Sequence, residues 1–254
     1  MGFTIAVAGK GGVGKTTLAA LIVRLLIERG EGPVLAVDAD PNANFNAALG
    51  MEVAKTIGDL REELLDQIRQ LPPGMTKDDY LELGIQQCLV EGRGVDLLVM
   101  GHAEGPRCYC AVNHVLRRCI DRLRDSYRSV VMDNEAGLEH LSRCTTQDID
   151  VLLIMSSDTP VALQSAVRID RLIEDLTLRV YKRFLVVNNL GGTDPELLRA
   201  HVERTGLELL GIIPRDEELP KLAWEGKSLM ELSEGAPALI AVQTMLDEIF
   251  AAVR

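Results

Sequence analysis

Aromatic residues are scarce, at 4% of the 254-residue sequence. A core of any size must therefore be built from Leu, Val, Ile and Ala. Basic residues are also short: 27 Lys and Arg stand against 38 Asp and Glu, for a net charge of −11. Such a surface repels phosphate backbones and anionic bilayers, which excludes nonspecific nucleic-acid binding and a charge-driven membrane partner. No apolar run approaches the roughly 20 residues that span a bilayer. The opening "MGFTIAVAGKGG" lacks a basic start and runs straight into glycines, so it reads as a strand and not as a signal peptide, and a cytoplasmic protein is expected. Five cysteines, an odd number in a long chain, exclude a disulfide framework. In a reducing compartment a close cysteine pair points instead to metal binding or redox work. The 47% hydrophobic and 26% charged fractions are those of an ordinary globular domain.

Short apolar runs alternate with longer amphipathic ones. The runs predict strands over 3–8, 33–39, 95–101, 129–134, 150–156, 183–189 and 207–213. Most lack strict alternation, as expected of strands buried on both faces of a parallel sheet. Helical patterns cover 16–29, 111–125, 160–176 and 194–205. The last is well punctuated, with Asp194 as cap, Pro195 at the first helical position and Gly206 after the end. No linker or repeat interrupts the alternation, so a single α/β domain over 1–254 is expected, with a doubly wound, mostly parallel sheet flanked by helices on both faces. The stretch 51–93 shows helical patterns and no convincing strand, and "LPPGMTKDD" breaks it.

"GKGGVGKTT" (9–17) follows the first strand and opens a helix. This is the setting that the phosphate-loop pattern GxxxxGK(S/T) requires. Gly11, Gly12, Val13 and Gly14 would turn backbone amides toward phosphates. Lys15 would contact the β- and γ-phosphates, Thr16 would offer its hydroxyl to Mg²⁺, and Thr17 follows in the first turn. The helix N-terminus adds favourable dipole charge.

Lys10 is an extra lysine at the start of this loop. With it, the loop resembles the deviant Walker A motif, K-G-G-x-G-K-S/T, of the superfamily containing MinD, ParA, the nitrogenase iron protein and the arsenite-pump ATPase. The resemblance implies that Lys10 reaches across a dimer interface to the partner's ATP, so that nucleotide holds two subunits face to face. It also implies roles for "AVDADPN": Asp40 orients the attacking water and Asp38 supports it or belongs to the outer Mg²⁺ shell, or the two roles are exchanged. "VVMDNEAG" is similar to the superfamily's Walker B strand and second switch. It would deliver Asp133 to the Mg²⁺ shell through water, since Mg²⁺ usually keeps several of its waters, and let the Gly137 amide sense the γ-phosphate. Adenine would be recognised by Asn188 at the end of "VVNNL" and by the loop of Pro214, Arg215 and Asp216.

Cys108 and Cys110 are separated by one residue, and in an extended segment such side chains face the same way. They form half of a tetrahedral thiolate site. If ATP pairs two copies about a two-fold axis near this segment, the homodimer supplies four thiolates, and nucleotide and metal favour the same state. The "CYC" pair and "EAGLEHLSR", similar to "GAGIEHLTR", together with "LLGIIP", resemble the CooC-type ATPases over the whole chain. These are nickel-insertion accessory proteins for carbon monoxide dehydrogenase, with relatives serving acetyl-CoA synthase. The resemblance implies ATP, Mg²⁺ and Ni²⁺, with Zn²⁺ as a competitor, and one of those two enzymes as client. Cys88, Cys119 and Cys144 read as buried apolar residues, and His114 as a surface or packing histidine. Three rival readings are an electron-transfer ATPase with an iron–sulfur cluster, like the nitrogenase iron protein, a partition ATPase of the ParA or MinD type, and an iron–sulfur assembly scaffold, where C-x-x-C is usual in place of the C-x-C found here. The first expects cluster cysteines far apart in sequence; the second expects a basic face or tail that this acidic chain lacks.

Overall fold

The computed structural model describes residues 2–40, 44–67, 74–101, 121–136, 148–175, 178–189 and 191–253. Among these, the strands are β1 (Phe3–Gly9), β2 (Val34–Ala39), β3 (Leu89–Glu91), β4 (Val95–Val99), β5 (Ser129–Ala136), β6 (Asp148–Ser157), β7 (Arg179–Asn188) and β8 (Leu209–Ile213). The helices are α1 (Lys15–Glu28), α2 (Phe45–Leu49), α3 (Ile57–Gln67), α4 (Lys77–Cys88), α5 (Pro160–Asp175), α6 (Pro195–Glu203), α7 (Glu218–Trp224) and α8 (Pro237–Val253), with a 3₁₀ turn at Leu229–Glu231.

All eight strands lie in one sheet, in the order β3-β4-β2-β5-β1-β6-β7-β8. Every pairing is parallel except β3 with β4. All six residues of β2 are buried, because helices cover both sheet faces. On one face Ile5, Val7 and Val131 pack against α1, which is itself covered by α8 through Leu239, Val242 and Leu246. On the other, Leu35, Val37 and Leu152 pack against Leu60 and Leu64 of α3 and Leu163 and Ile169 of α5. The Asp194 carboxylate caps α6 by accepting from Glu196 N at 2.9 Å and Leu197 N at 3.1 Å, as the sequence pattern predicts.

The expectation of no strand within 51–93 is corrected by β3. Its three residues, Leu89–Glu91, are too few to display a period. They become a strand only by folding back antiparallel on β4, with Leu89 opposite Leu98. β7 likewise starts earlier than the apolar run indicates, since its polar opening is held by pairing to β6 and by an Arg179–Asp148 ion pair at 2.6 Å.

Two registers position the site. β1 pairs with both β5 and β6, so strand order reverses around it, and ligands in such sheets bind beyond the carboxyl ends of the strands at that crevice. β2 and β5 then run side by side with Asp38 directly opposite Asp133.

Candidate active site

β1 ends at Gly9 and α1 begins at Lys15, so the phosphate loop crosses the carboxyl end of the sheet. Val13 is buried and anchors the loop, while Lys10 and Gly11 are exposed at its tip. α1 is entered through Gly14 in the left-handed conformation, φ 95° and ψ 25°, with no side chain capping its first amides. Those amides and the positive end of the helix dipole make an anion seat. The Lys15 side chain is buried and folds back under the loop, its Nζ 3.5 Å from Lys10 O.

Gly14 is required twice over. Its φ disfavours an L-residue, and a Cβ there would stand 2.7 Å from Asn188 Nδ2. Gly12 has φ +79° but nothing within 4 Å of the corresponding position. Gly14→Ala is therefore expected to weaken ATP binding by about tenfold or more, and Gly12→Ala by less, since it carries about 1–2 kcal/mol of backbone strain alone. Isothermal titration of both variants with ATP checks the order; equal losses would refute the Asn188 contact as the cause.

Thr16 Oγ1 donates to Asp133 Oδ2 at 2.5 Å. Burial pushes the Asp133 carboxyl up to about 7; the neighbouring Asp38 charge adds to the rise, and the Thr16 hydroxyl and Lys15 oppose it. Burial likewise raises Asp38 to about 6, against the amides of Phe45 and Asp40. Two buried carboxylates side by side call for a cation. Asp133 Oδ1 is buried and has no hydrogen-bond partner among the described residues. With Thr16 these are hard oxygen donors, which suit Mg²⁺. Thr16 and Asp133 would hold it, and bound Mg²⁺ would neutralise charge on the β- and γ-phosphate oxygens. Asp38 has a different task. Its Oδ1 accepts from Asp40 N and its Oδ2 from Phe45 N, both at 3.0 Å, so it braces both ends of the chain from Asp40 to Phe45.

Beside the loop lies a cavity of about 320 Å³ whose lining includes Gly12, Gly14, Thr17, Asn188, Pro214 and Arg215. Its size and apolar floor of Leu18, Leu21 and Met155 fit a planar base. Asn188 Nδ2 donates to Val13 O at 3.0 Å, tying the base side to the phosphate loop. Asp216 also lines the cavity, yet its carboxylate is spent on backbone amides, those of Glu218 at 2.9 Å and Ala238 at 3.0 Å. It shapes the loop. Arg215 is paired with Glu217 at 3.0 Å on the surface.

The structure thus gathers Lys10, Lys15, Thr16, Asp38, Asp40 and Asp133 at the phosphate end, and Asn188, Pro214, Arg215 and Asp216 at the base end. Gly137, Cys108, Cys110, His114, Cys119 and Cys144 lie outside the described residues. Cys88 is buried; its thiol contacts Thr56 O at 3.3 Å and is pushed up to about 11 by burial, so it stays a neutral packing group. Sequence reading missed Met155 in the cavity floor. Its position at the end of the "DVLLIMS" strand, level with Gly9, is the signal that could have found it.

A family model for the CobQ/CobB/MinD/ParA nucleotide binding domain matches residues 4–229. The chain belongs to this family. It is an ATPase of the MinD/ParA type. Among its relatives, an uncharacterized ATP-binding protein of Methanocaldococcus jannaschii is 41% identical over 247 residues, covering 96% of this chain and 97% of that one. The carbon monoxide dehydrogenase accessory protein CooC of Rhodospirillum rubrum is 32% identical over 248 residues, covering 90% of each. The cell-division ATPase MinD of Pyrococcus furiosus shares the fold, with a TM-score of 0.73 at 22% identity over 99% of this chain and 100% of that one. MinD of Pyrococcus horikoshii, solved with Mg-ADP, superposes with a TM-score of 0.67 at 19% identity over 98% and 96% of the two chains. No described helix of this MinD/ParA-type ATPase is long and apolar enough to cross a membrane.

Proposed function

We propose that this ATPase is a nickel-binding maturation factor that dimerises on ATP and delivers Ni²⁺ to a carbon monoxide dehydrogenase or acetyl-CoA synthase. The observation that carries this reading is the Cys108–Cys110 pair, placed between β4 and β5 of a chain similar to CooC over nine-tenths of its length. Two copies paired through ATP would bring four thiolates to one ion. Zn²⁺ suits the same donors, and selection between the metals would follow from geometry and supply.

In this reading the loop amides and Lys15 bind the triphosphate, and Thr16 and Asp133 hold Mg²⁺. Asp40 orients the water that attacks the γ-phosphorus, while Asp38 braces the chain that carries Asp40. The bond to the β,γ-bridging oxygen breaks, leaving ADP and phosphate, and the partner's Lys10 stabilises the departing charge. Loss of the γ-phosphate loosens the dimer and opens the thiolate cage. A bilayer partner fits less well, because Leu239, Val242 and Leu246 of α8 are buried against α1. A DNA partner is opposed by the net charge of −11.

Equilibrium dialysis against Ni²⁺ with ATP, with ADP and without nucleotide, with mass followed by light scattering, tests the reading. Wild-type protein is expected to bind one Ni²⁺ per dimer. Cys108→Ala or Cys110→Ala should lose tight Ni²⁺ binding and keep ATP binding. Full stoichiometry and affinity in either variant would sink the bridged site.

A further inference from the structure

Hydrogen bonds between segments remote in sequence join the two ends of the nucleotide site. At the phosphate end, the carboxylate of Asp38 holds the Asp40 amide and also the Phe45 amide, the first of α2. α2 has only five residues, with Phe45 and Leu49 buried. At its far end Ser228 Oγ donates to Ala48 O at 3.1 Å, and Ser228 Oγ in turn accepts from Met230 N at 3.0 Å. Gly50 closes α2 at φ +71°, and a Cβ on it would stand 2.9 Å from Ser228 Cβ. The joint is tight.

At the base end, the chain leaving β8 walls the cavity with Pro214 and Arg215. Asp216 then binds the amides of Glu218 and Ala238. Glu218 Oε1 accepts from Ser233 N at 3.2 Å and Ser233 Oγ at 2.7 Å. Residues 214–238 are thereby stitched into one lobe, with the base wall at its start and Ser228 further along. Behind the Ser228–Ala48 joint is an open cleft of about 530 Å³, lined by Leu49, Gly50, Met51 and Met230 among others. Dense packing does not back the joint from that side, and methionines adapt readily. The outer end of α2, anchored on its other side by buried Leu49, is thus held toward the lobe by the Ser228 hydrogen bond.

We propose that residues 214–238 act as a lever that makes hydrolysis depend on occupation of the base cavity, with Ser228 as the positioning residue. A base seated against Pro214 sets the lobe; Ser228 then sets α2, and α2 sets the chain between Asp38 and Asp40. Ser228 touches neither nucleotide nor water. The inference rests on the reading of Asp38 and Asp40 as the carboxylates that serve hydrolysis.

The test compares kcat at saturating ATP with kcat at saturating CTP, whose smaller base fills less of the cavity. Wild-type protein is expected to turn over ATP several-fold faster. In Ser228→Ala the ATP rate should fall about three- to tenfold, toward the CTP rate, the loss that one hydrogen bond implies. The CTP rate and the Kd for ATP should hardly change, and Ser228→Thr, which keeps the hydroxyl, should restore the ATP rate. Gly50→Ala presses on the same joint from the other side and should reproduce the loss, which covers the case of a poorly folded Ser228→Ala. Equal losses with ATP and CTP, or an unchanged ATP rate, would overturn the lever. Asp40→Ala, measured alongside, separates the two failures: unchanged ATP turnover in that variant would remove the carboxylate reading and the lever with it.

Discussion

Asp133→Asn is expected to stabilise the nucleotide-free protein at pH 8 while removing its ATPase activity. The carboxyl titrates at about 7 in the folded chain against 3.8 for an ordinary Asp, and burial is the main cause. Below pH 3.8 both folded and unfolded chains hold the proton, and nothing is lost. Between that pH and about 7 the folded chain keeps a proton that the unfolded chain releases. The contribution to stability is thus full in acid and disappears as pH rises through 7. Above it, folding must bury a charge. Asp38, at about 6, acts in the same direction one strand away. An amide at position 133 is never charged, and its oxygen can still accept from Thr16. The gain should be on the order of 1–3 kcal/mol, or several degrees in Tm for a chain of this size. Thermal unfolding of both proteins from pH 5 to pH 8 is the measurement. Wild type should lose Tm more steeply across that range than the variant; parallel curves would show that Asp133 is not the buried charge described. Mg²⁺ with ATP should erase the advantage, because a bound cation favours the carboxylate.

Lys10→Ala is the second large effect. The variant should bind ATP nearly as well as wild type but hydrolyse it at least about 100-fold more slowly, as when a charge-stabilising finger supplied in trans is removed. The two lysines of the loop occupy different places. Lys15 lies buried beneath it, where it would meet phosphates bound by its own loop, and Lys10 is exposed at the tip. A side chain so placed can serve a second subunit. Mixing therefore gives the sharper experiment. Lys10→Ala and Asp133→Asn are each expected to be inactive alone. A mixed dimer has one sound site, with Asp133 from one chain and Lys10 from the other, and activity should return on mixing. No recovery, or unchanged turnover in Lys10→Ala alone, would place Lys10 outside the interface.

The phosphate loop was legible because its chemistry is local. Gly14, Lys15 and Thr16 are neighbours in sequence, and the strand before them and the helix after them show in the hydrophobic pattern. The same holds for the capped start of α6. Asp216 shows the limit. Its place after Pro214 marks a loop at the base cavity, but nothing nearby reveals that its carboxylate turns away to the amide of Ala238. β3 is another case, three residues that become a strand only against β4.

By itself, the sequence determined the alternation of strands and helices, the phosphate loop with its two lysines, and the strand ends on which the remaining candidates sit. These depend on residues within a few positions of one another. Only the tertiary structure decided that Asp38 stands opposite Asp133, that burial raises both carboxyls well above an ordinary Asp, and that Ser228 reaches α2. Register, burial and long-range hydrogen bonds are set by partners distant along the chain, and their energies arise only once the sheet has brought those partners into contact.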